Sequence, residues 1–138
     1  MSFLLINKKF HGKQMDPIEF SLCRIELNKT QKQLSQLLGT SLKAVASYEQ
    51  GWRNIPSYIE RQLLFLLFME KQGLKTQKPC WTVKQCPTEQ KEQCPAWEFN
   101  SGKLCWMING TYCLGSPQNN WEEKMEYCRS CDMLNFLY

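Results

Sequence analysis

Seven of the eight cysteines in the chain fall between Cys80 and Cys131. They stand at Cys80, Cys86, Cys94, Cys105, Cys113, Cys128 and Cys131, with five, seven, ten, seven, fourteen and two residues between successive members. Thiolates are soft ligands, and a Cys-x-x-Cys turn such as Cys128–Cys131 brings two sulfurs onto one ion or cluster. Two such turns would define a zinc ribbon, but only one is present, and the wider spacings do not fit that pattern. The Cys86–Pro87 and Cys94–Pro95 steps, several tryptophans and irregular spacing suit an iron–sulfur cluster, which needs four thiolates in a dry pocket. Zinc and a disulfide or metal-free scaffold stay open as alternatives. Cys105, Cys113, Cys128 and Cys131, the four nearest the Cys-x-x-Cys, form the expected ligand set; Cys80, Cys86 and Cys94 are the reserve.

Other chemistry has little to work with. His11 is the only histidine, which excludes histidine-based metal catalysis, and nothing near it has ligand spacing. No Ser/His/Asp set, phosphate loop or catalytic carboxylate pair can be assembled. A dithiol redox centre at Cys128–Cys131 would need a β-α-β setting that this half lacks. The chain is therefore not expected to be an enzyme.

A second constellation lies upstream, in Thr30–Gly51. Thr30 and Gln33 form a capping box that starts a helix, and Leu34, Leu37 and Leu38 supply its apolar stripe. Gly39 ends that helix, because glycine enters the left-handed region without a Cβ penalty. Ser41 caps a following helix with Val45 and Tyr48 inward. Two short helices joined by a tight glycine turn read as a helix-turn-helix. Asp16 and Pro17 start a preceding helix with Phe20, Cys23 and Leu27 inward, where Cys23 acts as a small buried hydrophobe.

These residues resemble the Cro and phage-repressor (XRE-type) helix-turn-helix family in Thr30-Gln31, Leu34, Leu38-Gly39, Ser41, Val45, Tyr48, Glu49 and Gly51, over roughly residues 18–67. The resemblance implies a pairing of Arg24 with Glu49, and a small residue at the closest helix approach, here Ser35. It also implies DNA contacts: Gln31 on a phosphate, Ser41 at the start of the recognition helix, Leu42, Lys43, Ala44 and Ser47 on that helix facing bases, and Arg53 and Asn54 on the backbone. Lys43 can donate to guanine, and Leu42 and Ala44 can touch thymine methyls. So thin a code needs two half-sites, hence a homodimer on double-stranded DNA.

The cysteine-rich half in turn resembles the small "two-CW" domain of sensor and regulator proteins of anaerobic bacteria. The likeness rests on Cys80-Trp81, Cys105-Trp106, all seven cysteines, Ala96, Gly110-Thr111 and the final Cys-x-x-Cys; Trp97 stands where that family usually has tyrosine.

Charge and composition divide the chain at the same place. Residues 1–78 hold 12 Lys/Arg against 6 Asp/Glu, and residues 79–138 hold 5 against 7. The basic half suits a polyanion. No apolar run approaches a membrane span, and MSFLLIN lacks the basic start of a secretory signal, so a reducing cytoplasm and no membrane partner are expected. The expected domains are 1–78 and 79–138. The first opens with an arm carrying Phe3–Ile6, Lys8, Lys9 and Lys13. It closes with a helix from Pro56 to about Gln72, whose seven-residue run Leu63–Met69 is too apolar for one face and must be covered by the other domain or, preferably, by a second subunit. In the second domain, Asn109-Gly110 predicts a hairpin, Trp121, Met125 and Cys128 a short helix, and Leu134–Tyr138 a docking tail. The fold class is thus mainly α, with a small irregular α+β cysteine-rich metal-binding domain. The function expected is a sequence-specific transcriptional regulator that senses redox state through an iron–sulfur cluster, favourably 4Fe–4S. The alternative is a DNA-binding regulator with a structural zinc or disulfide domain for folding and protein contacts.

Overall fold

The computed structural model describes residues 14–135 and residue 137. The N-terminal arm expected at Phe3–Lys13, His11, and Phe136 and Tyr138 of the tail lie outside the described residues. Four helices make the first half: α1 (Pro17–Glu26), α2 (Gln31–Leu38), α3 (Leu42–Gln50) and α4 (Ser57–Glu70). Each of the first three starts at a side-chain cap: Asp16 accepts from the Glu19 amide, Thr30 from Gln33, and Ser41 from Ala44. The Thr30/Gln33 box is reciprocal, since the Gln33 side chain accepts from the Thr30 amide at 2.9 Å. Gly39 ends α2 at φ +67° and Gly51 ends α3 at φ +78°. That backbone would cost another residue about 1–2 kcal/mol.

Phe20, Cys23, Leu34, Leu38, Val45 and Tyr48 interlock between α1, α2 and α3. Ser35 is buried where α2 meets its neighbours. Leu37, expected on the apolar stripe, is instead 51% exposed, because α2 is short and only Leu34 and Leu38 point at the core.

α4 carries the join. Its residues Leu63, Leu64, Leu67 and Phe68 are fully buried, each worth about 1.5–3 kcal/mol of apolar burial. One part of that surface faces α1 and α2; the other is covered from the cysteine-rich half of the same chain, where Phe68 meets Trp106 edge-on at 6.0 Å. A single core runs from Phe20 through α4 to Trp106, Trp121, Met125, Leu134 and Leu137. The apolar run is therefore satisfied largely within the chain, and the expected second subunit is not what covers it.

The second half consists of short pieces: α5 (Gly73–Thr76), α6 (Cys80–Val83), α7 (Thr88–Gln93), α8 (Pro95–Glu98), a 3-10 segment (Gly102–Met107), α9 (Trp121–Cys128) and α10 (Asp132–Asn135). The α+β expectation fails here, since there are no strands among the described residues. Asn109-Gly110 does turn, with Gly110 at φ +85°, but its flanks do not pair. Trp106 is drawn into the core within the 3-10 segment, and the Asn109 side chain donates to the Gln118 carbonyl at 3.2 Å. The stretch between α4 and Pro79 contains α5, and the helix expected from Trp121 to Cys128 is present as α9.

Candidate DNA interface and cysteine cavity

The exposed rim of α3 begins at Ser41, Leu42 and Lys43; Leu42 is 48% exposed although apolar. Arg53 and Asn54 are exposed in the loop beyond Gly51. Ala44 and Ser47 correct the expected reading face. Both are buried, because α3 packs inward through Ala44, Val45, Ser47 and Tyr48. The Ser47 hydroxyl donates back to the Lys43 carbonyl at 2.8 Å, which leaves no donor for a base. Their places outside are taken by Ala46, half-buried, and Gln50, exposed. Trp52 is 79% exposed beside Arg53, a position that sequence reasoning passed over.

Beneath this rim Arg24 grips Glu49 with two bonds, Nε to Oε1 at 2.5 Å and Nη2 to Oε2 at 3.2 Å. Gln31 Nε2 donates to the same carboxylate at 3.1 Å, so Gln31 is tied to Glu49 in the free chain. Burial would raise the Glu49 pKa, but the bonds from Arg24 and Gln31 and the Arg24 charge outweigh it and hold the carboxyl below its usual range. This lock fixes α3 relative to α1 and α2.

The cysteines converge on the other side of the molecule. A cavity of about 210 Å³ is lined by Cys80, Cys86, Cys94, Cys105, Cys113 and Cys131, with walls that include Trp81, Trp97, Tyr112, Tyr127 and Met133. A dry cavity of ~150 Å³ accommodates benzene, so this volume admits more than one ion. Cys94, Cys105 and Cys131 are buried in one cluster with Cys80 against it, while Cys86 is half-buried and Cys113 exposed. Trp81 stacks edge-on with Trp97 at 5.0 Å. Gly102 permits this wall, since a Cβ there would collide with the Trp81 ring and stand 2.9 Å from the Pro79 side chain.

Cys128 is the exception. It belongs to the main core, not to the cavity lining, and burial pushes its thiol up to about 12. The expected set of Cys105, Cys113, Cys128 and Cys131 is therefore not brought together. The physical reason is that Cys128 ends α9 on its inward stripe with Trp121 and Met125, while Cys131 lies beyond the turn. Among the described residues no three His, Cys, Asp or Glu side chains gather closely enough to hold one metal ion, and all eight cysteines are free thiols. The Cys105 thiol donates to Cys80, an interaction that lowers the Cys80 pKa and raises that of Cys105. Burial raises Cys131 and Cys86.

Four buried charges were not anticipated. Arg129, inside the Cys-x-x-Cys, reaches across to α1 and α4. Nη1 donates to Glu19 at 2.7 and 2.8 Å, and Nη2 to Glu60 Oε1 at 2.5 Å. Trp121 Nε1 donates to the other Glu60 oxygen at 2.9 Å, and Arg61 lies over the Trp121 ring at 4.1 Å. Burial raises the Glu60 pKa against the lowering effect of Arg129. Lys124, on α9, is 1% exposed and donates to Thr111 Oγ1 at 2.7 Å. A signal did exist: Glu19, Glu60 and Lys124 each sit on the inward stripe of a helix, where a charge is costly unless partnered.

Residues 21–60 match the helix-turn-helix family, which covers α2, α3 and their flanks. Neither a curated protein nor a solved structure matched the chain. The match supports a DNA-binding transcriptional regulator, and no helix among the described residues is long and apolar enough to cross a membrane.

Proposed function

We propose that the chain is a sequence-specific DNA-binding regulator whose cysteine cavity holds an iron–sulfur cluster and senses redox state. The observation that carries this reading is the gathering of six sulfurs around one cavity, in a half clamped to α1 and α4 by Arg129. The donor set fits: soft thiolates, apolar aromatic walls and room for a polynuclear group. A single zinc ion fits less well, because no three of these sulfurs lie around one point. Cys80, Cys94, Cys105 and Cys131, the inner four, would hold a 4Fe–4S cluster, with Cys86 and Cys113 at the mouth. Bound there, such a cluster would supply one-electron chemistry and sensitivity to oxygen.

The chain's own residues do the rest. Trp81, Trp97, Tyr112 and Tyr127 exclude water, and Arg129 ties the turn between Cys128 and Cys131 to α1 and α4, which pack against the helices of the DNA face. Lys43 and Leu42 address bases, while Ser41, Arg53 and Asn54 engage the backbone, with Gln31 poised at the start of α2. Two half-sites would be read by a dimer, and Tyr58, Phe65 and Met69, exposed on one side of α4, offer the surface for a second copy.

The test is anaerobic reconstitution with ferrous iron and sulfide, followed by visible spectroscopy and iron, sulfide and zinc analysis. About four irons and four sulfides per chain support the cluster. Stoichiometric zinc with no visible absorption would establish the structural-zinc alternative instead.

A further inference from the structure

Lys124 occupies a position that a lysine rarely holds. It is 1% exposed, lies on the inward stripe of α9 beside Met125, and has no carboxylate within ion-pair distance among the described residues. Its ammonium has three donors, and the one bond made is to Thr111 Oγ1. That same hydroxyl oxygen accepts from the Cys113 thiol at 3.3 Å and donates to Gln118 Oε1 at 3.3 Å. Gln118 Nε2 closes the arrangement on the Thr111 carbonyl at 3.0 Å. The buried cation is thus one hydroxyl away from a sulfur of the cavity. Its charge also reaches Cys80, Cys105 and Cys128, whose thiolates it favours. A charge taken out of water with only a neutral partner is costly, and it persists where an opposite charge completes the site.

We infer that Lys124 is the fixed counter-charge of the cysteine cavity, so that the group held there is an anion as a whole. This rests on the reading of the cavity as a thiolate-ligated metal site. Four thiolates around either a 4Fe–4S core or a zinc ion leave net negative charge, and Lys124 offsets it from behind the wall. With an iron–sulfur cluster, an added electron increases that negative charge. Lys124 then favours the reduced form and holds the midpoint potential up. Thr111 positions the ammonium and, through Cys113, links it to the mouth.

The experiment compares full-length wild type with Lys124→Met and Lys124→Arg, each as apoprotein and after anaerobic reconstitution with ferrous iron and sulfide. A potentiometric titration followed by EPR gives the midpoint. Lys124→Met should lower it and reduce iron retention during gel filtration, while Lys124→Arg should stay near wild type. Apoprotein melting supplies a second, independent reading. With its anion missing, the buried cation is a burden, so Lys124→Met apoprotein should melt at or above the wild-type temperature. A Met variant with wild-type potential and retention would overturn the inference. So would apoprotein destabilised as much as loaded protein, which marks a structural peg. If wild type takes up zinc but no cluster, the cluster reading fails on its own. The counter-charge is then judged by zinc affinity, which should fall in Lys124→Met and be overturned if it does not. If wild type takes up neither, the apoprotein melting alone decides between the two outcomes.

Discussion

Replacing Arg129 by methionine removes the cation that joins the cysteine-rich half to α1 and α4. In the wild type it makes three short bonds to two carboxylates, with all three side chains at most 2% exposed. Glu19 and Glu60 would be left facing each other in a dry site. Breaking a buried pair from one side costs about 3–5 kcal/mol, and at about 2 kcal/mol per molar urea the midpoint should fall by roughly 1.5–2.5 M. The loss should depend on pH in a particular direction. Burial already raises the Glu60 pKa, and Arg129 opposes that rise, so the variant's Glu60 is raised further. A carboxyl with a raised folded pKa contributes stability that is present below the unfolded value near 4.3 and lost as pH rises through the folded value. The deficit should therefore be greatest at neutral pH and shrink as pH falls toward 5. Urea titrations of wild type and Arg129→Met between pH 5 and 8 measure this directly, and adding Glu60→Gln should recover part of the loss. A deficit under ~0.5 kcal/mol, the scale of an exposed pair, or one unchanged with pH, would refute the reasoning.

Three further outcomes follow from the geometry. Lys43→Ala should reduce sequence preference, whereas Arg53→Ala should weaken binding to all duplexes and lower the salt slope by about 1; fluorescence anisotropy on selected and random duplexes separates them. Gly102→Ala should push Trp81 out of the cavity wall and reduce iron uptake, read by colorimetric iron analysis, with Gly39→Ala as a control that destabilises by about 1–2 kcal/mol without touching the cavity. Cys128→Ser should leave iron stoichiometry near wild type while lowering the melting temperature, and Cys105→Ser should abolish uptake; the reverse pattern would restore Cys128 to the ligands.

The helix-turn-helix was legible because its determinants are local. Caps lie three residues from their amides, glycines mark both helix ends, and Arg24 and Glu49 belong to a spacing that the resemblance supplied. The outward face of α3 was legible only at its rim, since Ala44 and Ser47 are small enough to suit either side and packing against α1 and α2 drew them in. The cysteine-rich half was legible as a dense run of thiols, and its geometry was not. Nothing in the spacing distinguishes Cys128, held in the core by α9, from Cys131 just past the turn. Asn109-Gly110 was read as a hairpin on a sound turn signal, but Trp106 found its partner in Phe68 across the chain rather than in a neighbouring strand. The bonds of Arg129 to Glu19 and Glu60 span 110 and 69 residues, a separation that no local pattern encodes.

The central claim is that the state of the cysteine cavity governs DNA binding through this clamp. Duplexes selected from a random-sequence pool by the reconstituted protein provide the probe, and anaerobic affinity is compared with affinity after air exposure of the same sample, iron loss being followed in parallel. A change of about 5- to 150-fold, the range of a 1–3 kcal/mol coupling, is the predicted result. Equal affinity before and after the iron has left would contradict it.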